Sequence, residues 1–251
     1  MPNYRRCLRQ IFLGLFFPPR CPVCDDLLEQ ADAVCAGGDG IHPRCVHKLT
    51  WTQEPVCCHC GRPLEKDAEE YCFDCSRMRK ETVTFQQAKA LLLYRGDAKK
   101  MMYRFKYSNR REYGDFFAMQ AAKRYGKWFR EIGAEAIMPV PMFPVKKRRR
   151  GYNQAETFAR ALAEELGIAY EPGILRRIRN TKPLKELNDA QRRENLKNAF
   201  QIKQMGVKYK KILVVDDIYT TGSTANEIAR VLRQSGVENV YFFFVCIGQG
   251  V

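Results

Sequence analysis

The sequence contains no apolar run of about 18 residues, the length that a helix needs to cross a bilayer, so we expect no membrane span. It also has no G-K-[ST] after the glycine of its turn TTGST (220–224), which excludes a Walker phosphate loop. The N-terminal stretch IFLGLFF (11–17) follows basic residues, as the apolar part of a signal peptide would. However, PPRCPVC comes next, where a cleavage site would have small residues. We therefore predict that this stretch is a short helix packed on the body of the protein.

Cysteine, by contrast, is abundant. The 251 residues include 11 cysteines, and those between Cys21 and Cys75 fall largely in C-x-x-C pairs. A secreted disulfide scaffold would have a similar cysteine count, but the rest of the chain has the patterns of an intracellular α/β enzyme. We therefore predict metal ligation in a reducing compartment, and with it a cytoplasmic location.

Positive charge is concentrated in one part of the chain. Residues 142–211 hold 18 Lys or Arg against 7 Asp or Glu, a surplus of 11 within a formal net charge of +15. Such a field raises the local concentration of phosphorylated ligands or of nucleic acid. The alternative for any single cation in this region is an ordinary solvated basic surface.

The chain divides near residue 80. Residues 1–80 are rich in Cys, Gly and Pro with little periodicity, as expected where bound metal replaces a hydrophobic core. Residues 81–251 alternate strand and helix patterns, which indicates an α/β fold. Its strands show little polar alternation and need cover on both faces, so we predict a parallel sheet with flanking helices.

Hydrophobic periodicity places the main elements of this second region. The predicted strands are 89–95, 136–141, 210–216 and 240–247, and the predicted helices are 153–167 and 224–235. Residues 176–199 are polar and highly charged, which predicts a mobile loop.

Three C-x-x-C pairs and one H-x-x-C pair occur in the first 80 residues. Each pair can form a knuckle whose two side chains bind one ion, and four such ligands make a closed tetrahedral zinc site. The four pairs therefore predict two structural zinc ions. In the sequential pairing, the ligands are Cys21, Cys24, His42 and Cys45 for the first ion and Cys57, Cys60, Cys72 and Cys75 for the second.

Other arrangements of this module remain open. The four pairs can also combine in a cross-braced order, Cys35 can displace His42, and the first site can be a degenerate knuckle without metal. Cys58 is predicted to be a spectator. His59 lies between two ligands and is predicted to be an exposed residue that binds no metal.

The stretch KILVVDDIYTTGST (211–224) carries the chemistry of the second region. A strand that ends in two acids and turns through TTGST into a helix brings several backbone N–H groups and the positive end of the helix dipole to one point. That arrangement suits a phosphate monoester. Two carboxylates beside a phosphate would repel it, so we expect them to face ribose hydroxyls, which can donate hydrogen bonds to carboxylate oxygens.

This stretch closely resembles the signature of type I phosphoribosyltransferases, which use phosphoribosyl pyrophosphate (PRPP) with magnesium. The residues that the resemblance assigns to PRPP are Asp216 and Asp217 on the ribose hydroxyls, and Thr220, Thr221, Gly222, Ser223 and Thr224 on the 5-phosphate. Tyr219 departs from the aliphatic residue usual at its position.

The segment PVPMFPVKKRRRGYNQAE (139–156) follows a predicted strand and precedes a predicted helix, where such enzymes are expected to bind pyrophosphate. Cations and amides aimed at the leaving pyrophosphate lower the barrier to glycosidic cleavage. The segment 176–195 would close over the site, with Arg193 as a further phosphate contact. The candidates are Gly151, Tyr152 and Asn153 for PRPP binding, and Arg150, Lys106 and Arg192 for catalysis.

The order of motifs along the whole chain is similar to that of the ComF family, known for competence and DNA uptake. The similarity covers PPRCPVC, the cysteine knuckles, FKYSNRREYGD, RRRGYNQAE, RENLKNAF and VVDDIYTTGST. His42 stands where these proteins often have cysteine. The resemblance implies transfer of 5-phosphoribosyl to an acceptor that it does not identify. The alternative is a non-catalytic module that binds single-stranded DNA, works with other competence proteins and uses PRPP as a signal.

Overall fold

The computed structural model describes residues 18–29, 32, 38–65, 69–77, 84–180, 189–203 and 207–248, with the side chains of 189, 190, 192 and 193 excepted. The stretch IFLGLFF and its predicted helix lie outside these residues. Within them, no helix is both long enough and apolar enough to span a bilayer.

The described elements alternate between strand and helix after residue 84. In chain order they are α1 Pro43–Val46, α2 Phe73–Ser76, β1 Gln87–Leu93, α3 Gly96–Tyr107, α4 Tyr113–Ile132, β2 Ala136–Pro139, α5 Pro144–Arg150, α6 Gln154–Leu166, β3 Ala169–Tyr170, β4 Leu175–Arg177, α7 Asp189–Leu196, β5 Phe200–Ile202, β6 Lys211–Tyr219, α8 Ser223–Gln234 and β7 Asn239–Ile247.

Five strands form a parallel sheet in the order β1-β7-β6-β2-β3. β6 lies in the middle, and its apolar residues 212–215 are fully buried because both faces of the sheet are covered. The predicted parallel sheet with flanking helices is confirmed. The strand runs further than the predicted 210–216: pairing with β7 continues to Tyr219, so Asp217 also lies within β6 and the acids do not end the strand.

Side chains alternate across β6, and each face packs against different helices. Leu213 and Val215 belong to the core that contains the apolar residues of α4 and α6. Ile212 and Val214 belong to the opposite core, which contains the buried residues of α8. The chain therefore leaves β2 toward one face of the sheet, through α6, and leaves β6 toward the other, through α8.

The predicted helix at 153–167 is present as α6, and its ends follow the expected capping rules. Asn153 caps the first turn, where its side chain accepts a hydrogen bond from the Ala155 amide at 3.2 Å. Gly167 ends the helix in a left-handed conformation, with φ of 66°.

The predicted loop at 176–199 is wrong where regular structure interrupts it, at 176–177 and 189–196. β4 and β5 pair antiparallel in a small two-stranded sheet, and the backbone of α7 is helical just before β5. Leu175, Leu196 and Phe200 are buried in the core beneath α8. Three apolar anchors spread over 26 residues leave no periodic signal, so composition alone suggested a loop.

The cysteine-rich region packs directly on the edge strand β1. The Ala88 amide donates to the His59 carbonyl at 2.6 Å, the Thr52 amide to the Leu91 carbonyl at 3.1 Å, and the Leu93 amide to the Thr50 carbonyl at 2.8 Å. These bonds occupy an edge that would otherwise expose unpaired backbone groups. The boundary near residue 80 stays a prediction; the cysteine-rich residues share both cores with the sheet.

His59 is not the exposed residue that the sequence indicated. Its side chain is 6% exposed, and its ring stacks on Phe85 with 4.1 Å between centroids. Burial lowers the pKa of His59, so the ring is neutral near pH 7. The cause is tertiary: the backbone of the knuckle carrying His59 lies against β1, and Phe85, just before that strand, covers the ring.

Gly61 offers a test of this packing. Its φ is +75°, and a Cβ there would lie 2.6 Å from the Ala88 carbonyl oxygen of β1. Gly167 has a similar φ of +66° with nothing within 4 Å of the added Cβ. We expect Gly61→Ala to lose about 1–2 kcal/mol more unfolding free energy than Gly167→Ala, measured by denaturant titration. Equal losses of unfolding free energy in the two variants would show that Gly61 is not in close contact with the backbone of β1.

Candidate functional site

Two functional segments leave the carboxyl ends of neighbouring parallel strands. Pro139 at the end of β2 pairs with Val215 in β6, and the Val140 amide still donates to the Val215 carbonyl at 2.9 Å. Since the two strands continue to opposite faces of the sheet, a crevice opens between them. Ligands of open α/β sheets bind in such crevices.

The turn after β6 has the geometry of an anion cradle. Gly222 is left-handed with φ of 75° and caps α8, whose first residue is Ser223. The Thr221 and Ser223 hydroxyl oxygens lie 3.0 Å apart. Free N–H groups of the first helical turn and the helix dipole favour an anion at such a turn. The assignment of 220–224 to a phosphate stays a prediction.

The Tyr219 ring packs against Gly222 of this turn. Its side chain is buried, and a Cβ added to Gly222 would lie 2.5 Å from its hydroxyl oxygen. A side chain at position 222 would therefore collide with the ring in addition to straining the backbone. The departure from the usual aliphatic residue at 219 thus makes glycine at 222 a steric requirement of this chain.

The second acid of the pair, Asp217, has a cation partner. Lys106, at the end of α3, places its Nζ 2.7 Å from Asp217 Oδ2, and both side chains are 19% exposed. Burial alone would lower the pKa of Lys106, but the charge and hydrogen bond of Asp217 outweigh it and raise the pKa. Lys106 is therefore charged at the crevice.

The first acid, Asp216, has different surroundings. Its Oδ1 accepts a hydrogen bond from the following backbone amide, that of Asp217, at 2.8 Å. Burial, and then the neighbouring charge of Asp217, raise the pKa of Asp216 to about 7, against the opposing influence of Lys106 and Arg177. The two acids thus differ: Asp216 holds its proton to a higher pH than an ordinary aspartate does, while Asp217 is ion-paired.

Basic side chains of α5 and β4 lie near one another, and the charge of one of them, Arg177, acts on Asp216. Arg150 donates to Gln154 Oε1 at 2.8 Å and lies over the Tyr107 ring at 5.0 Å. Burial lowers the pKa of Lys146, and the positive charges of Arg177 and Arg150 lower it further, so the three cations are neighbours. Arg177 was missed by sequence reasoning because β4 carried no strand signal of its own.

The residues after Arg150 use their side chains for packing. Tyr152 is buried and its hydroxyl donates to the Phe105 carbonyl, while the buried Asn153 amide donates to the Val140 carbonyl at 2.9 Å. Gly151 ends α5 in a left-handed conformation. A pyrophosphate contact in this segment would therefore come from main-chain groups and Arg150. The side chain of Arg192 lies outside the described residues.

Two ligand clusters occur among the described residues, both in the sequential pairing. In each, all four potential ligand atoms lie within 4.8 Å of one another. The second cluster, of four cysteines, has 3.6 Å between the sulfurs of Cys60 and Cys72. The hydrogen bond from Cys60 lowers the pKa of Cys57, and the same bond raises the pKa of Cys60. The four thiols are therefore close enough to hydrogen-bond to one another. Four such sulfurs fit zinc.

The first cluster uses His42 as its fourth ligand. Nδ1 of His42 lies 3.3 Å from the Cys24 sulfur, and Nε2 lies 3.0 Å from the Leu27 carbonyl oxygen. A carbonyl accepts hydrogen bonds, so Nε2 carries the proton and the Nδ1 lone pair faces the sulfurs. This second contact orients the ring as it does in known metal sites. The Cys₃His set thus also fits structural zinc; Cys35 lies outside the described residues.

Comparison with known proteins agrees with both halves of this architecture. The family model of the Double zinc ribbon domain matches residues 12–76, and that of the Phosphoribosyl transferase domain matches residues 152–249. Competence protein F of Haemophilus influenzae is 32% identical over 231 residues, which cover 90% of this chain and 95% of that protein. The chain belongs to the ComF family.

Further ComF-type relatives span most of both chains. DNA utilization protein YhgH of Salmonella typhimurium is 28% identical over 76% of this chain and 83% of its own. Competence protein ComFC of Bacillus subtilis is 26% identical over 86% of this chain and 89% of its own. The family predicted from the order of motifs is confirmed, as is a double zinc ribbon ahead of a phosphoribosyltransferase domain.

The raised pKa of Asp216 in this ComF protein predicts how its stability depends on pH. Because the folded state holds the Asp216 proton more tightly than the unfolded chain, the stability contributed by that proton is lost as pH rises from about 4 to about 7. We expect Asp216→Asn to raise the unfolding free energy of the ligand-free protein by about 1–2 kcal/mol at about pH 8, with no gain near pH 5.

The neighbouring acid serves as the matched control. Asp217→Asn removes the partner of Lys106 and should lower the unfolding free energy by about 1–3 kcal/mol at about pH 8. Denaturant titrations at both pH values measure the two effects. A loss of stability in Asp216→Asn at the higher pH would contradict the raised pKa.

Proposed function

We propose that this ComF protein binds PRPP with magnesium and transfers the 5-phosphoribosyl group to a nucleophile, releasing pyrophosphate. One observation carries the proposal: the acid pair of β6 leads directly into a left-handed glycine turn at the start of α8, and the charges of Lys106 and Arg177 act on those acids. A sugar that bears phosphate on one end and pyrophosphate on the other needs both kinds of group.

The assignment of ligand groups follows from charge. Residues 220–224 bind the 5-phosphate through backbone amides and hydroxyls, because the start of α8 is the part of the turn with unpaired N–H donors. The carboxylates of Asp216 and Asp217 accept hydrogen bonds from the ribose hydroxyls. They are also oxygen ligands of the kind magnesium prefers, and magnesium bound with PRPP neutralises pyrophosphate charge as a Lewis acid.

The chemical step breaks the bond between the anomeric carbon and the pyrophosphate oxygen. Its electron pair leaves with pyrophosphate, so negative charge grows where Arg150, Lys146 and Arg177 gather. Positive charge grows on the ribose ring beside the two acids. Lys106, held by Asp217 in the absence of ligand, carries a charged ammonium that can turn to the pyrophosphate oxygens once ribose hydroxyls occupy the carboxylate.

Calorimetry with PRPP and magnesium tests the site. We expect measurable binding by the wild-type protein and none by the double variant Asp216→Asn, Asp217→Asn, because amides cannot replace both charged acceptors. Glu238→Gln is the control, since Glu238 pairs with Lys210 in an exposed ion pair at the opposite end of the sheet. Unchanged binding in the double variant would refute the site. Pyrophosphate release across nucleobases, amines and DNA identifies the acceptor.

A second candidate function is the non-catalytic binding of single-stranded DNA in the cytoplasm, with other competence proteins as partners. The aromatic residues of α3 differ in exposure: Phe105 is buried, whereas Tyr103 and Tyr107 are exposed by 63% and 61%. Their ring centroids lie 5.0 Å apart, beside Arg150. Exposed rings next to cations can stack bases.

Fluorescence anisotropy with a labelled oligonucleotide measures this second activity. Binding should weaken steeply with added salt, since cations that contact phosphates release counterions, and Tyr103→Ala with Tyr107→Ala should weaken it by about tenfold or more. Tyr71→Ala, which removes an exposed aromatic residue next to α2, is the control. A flat salt response, or equal affinity in all variants, would reject this surface.

A further inference from the structure

Arg62 lies between the second zinc cluster and the end of the parallel sheet. It follows the Cys57–Cys60 knuckle, and its side chain is only 8% exposed although it is charged. A buried guanidinium is costly unless its donors are satisfied. The contacts that satisfy it therefore indicate what holds this residue in place.

One half of the guanidinium contacts the second zinc cluster. Nη1 donates to Asp74 Oδ2 and lies 3.8 Å from the sulfur of Cys72, one of the four predicted ligands. Asp74 lies in α2, between the last two cysteines of the cluster. The position of this half thus depends on the same short segment that carries the zinc ligands.

The other half contacts the phosphoribosyltransferase domain through main-chain carbonyl groups. Nη2 donates to the Thr220 carbonyl at 3.2 Å, and Nε donates to the Gly248 carbonyl at 3.2 Å. The Gly248 amide in turn donates to the Tyr219 carbonyl at 3.0 Å. Arg62 therefore holds two consecutive carbonyls of the phosphate turn, one directly and one through Gly248.

The contact with Thr220 has a consequence for the peptide that follows it. In a planar trans peptide the carbonyl and the next N–H point in opposite directions. Because the Thr220 carbonyl points at Arg62, the Thr221 N–H points away from the zinc cluster. The Thr221 hydroxyl lies 3.0 Å from that of Ser223 at the start of α8, so this peptide belongs to the cradle. A rotated peptide would present an oxygen where an anion needs a donor.

We propose that Arg62 is a positioning residue for the phosphate turn, so that the second zinc cluster is a structural part of the phosphate site. The inference deepens the proposed function and rests on it for the identity of the ligand. Only Arg combines donors at Nε and both Nη atoms in one rigid plane, so Lys cannot make the same bridge from Asp74 to the Thr220 and Gly248 carbonyls. Zinc bound by Cys72 would fix the end of this bridge that lies at Asp74.

Hydrogen exchange of the ligand-free protein tests the proposal without PRPP. We expect Arg62→Met to speed exchange in the peptide covering 219–224 by about tenfold, because the turn loses a charge-assisted hydrogen bond, and to leave β2 and α6 unchanged. Zinc content should stay at the wild-type value. Arg44→Met is the matched control, since Arg44 is an exposed knuckle residue of the first cluster that pairs with exposed Asp26.

Calorimetry of the same variants links the turn to its ligand. Arg62→Met should bind PRPP with magnesium about tenfold more weakly than wild type, and Arg62→Lys should fall between them. If wild type fails to bind PRPP while exchange in 219–224 still responds to Arg62, the proposed function fails and the positioning role stands. Wild-type exchange in Arg62→Met with full zinc content would overturn the positioning role.

Arg62→Lys is the fallback test, for the case in which Arg62→Met loses zinc. If Arg62→Met retains less zinc than wild type, Arg62→Lys decides, because it keeps a positive charge beside Asp74 and Cys72. Faster exchange confined to 219–224 in Arg62→Lys with full zinc content supports the bridge. Wild-type exchange and wild-type PRPP affinity in that variant contradict it.

Discussion

The pairing of β6 with β2 on one side and β7 on the other is the constraint on which the site depends. It holds Asp216 and Asp217 at the carboxyl edge of the sheet and starts the turn to α8 beside the segment that follows β2. Because the two strands send their helices to opposite faces, the crevice is a product of topology. Loop conformation alone would not produce it.

Within the crevice, neighbouring residues of the same type have different properties because their surroundings differ. Asp217 faces the core that contains α3 and pairs with Lys106 at 2.7 Å, whereas burial and the charge of Asp217 raise the pKa of Asp216. Burying a carboxylate beside another one costs stability, and a binding site can carry such a cost when the ligand needs the acceptor.

The zinc clusters are integrated into the enzyme-like domain. The cysteine-rich residues hydrogen-bond along the free edge of β1, and Arg62 reaches from the second cluster to the phosphate turn. On the other side, Asp25 beside the first cluster pairs with Arg110 at 2.8 Å, close to the start of α4. A metal-stabilised module that covers an edge and orients a turn therefore contributes to the geometry of the site.

The amino-acid sequence was enough to predict the features that local chemistry specifies: the knuckle spacing, the buried strands, α6 with its caps, and the acid pair followed by a glycine turn. These depend on residues close together in the chain, so periodicity and spacing reveal them. The folded structure was needed to find that Lys106 pairs with Asp217, that Arg177 lies near the cations of α5, that His59 is buried and that Arg62 contacts Thr220. Each such contact joins segments that are distant in sequence, and a single sequence carries no local signal for where the fold will bring them.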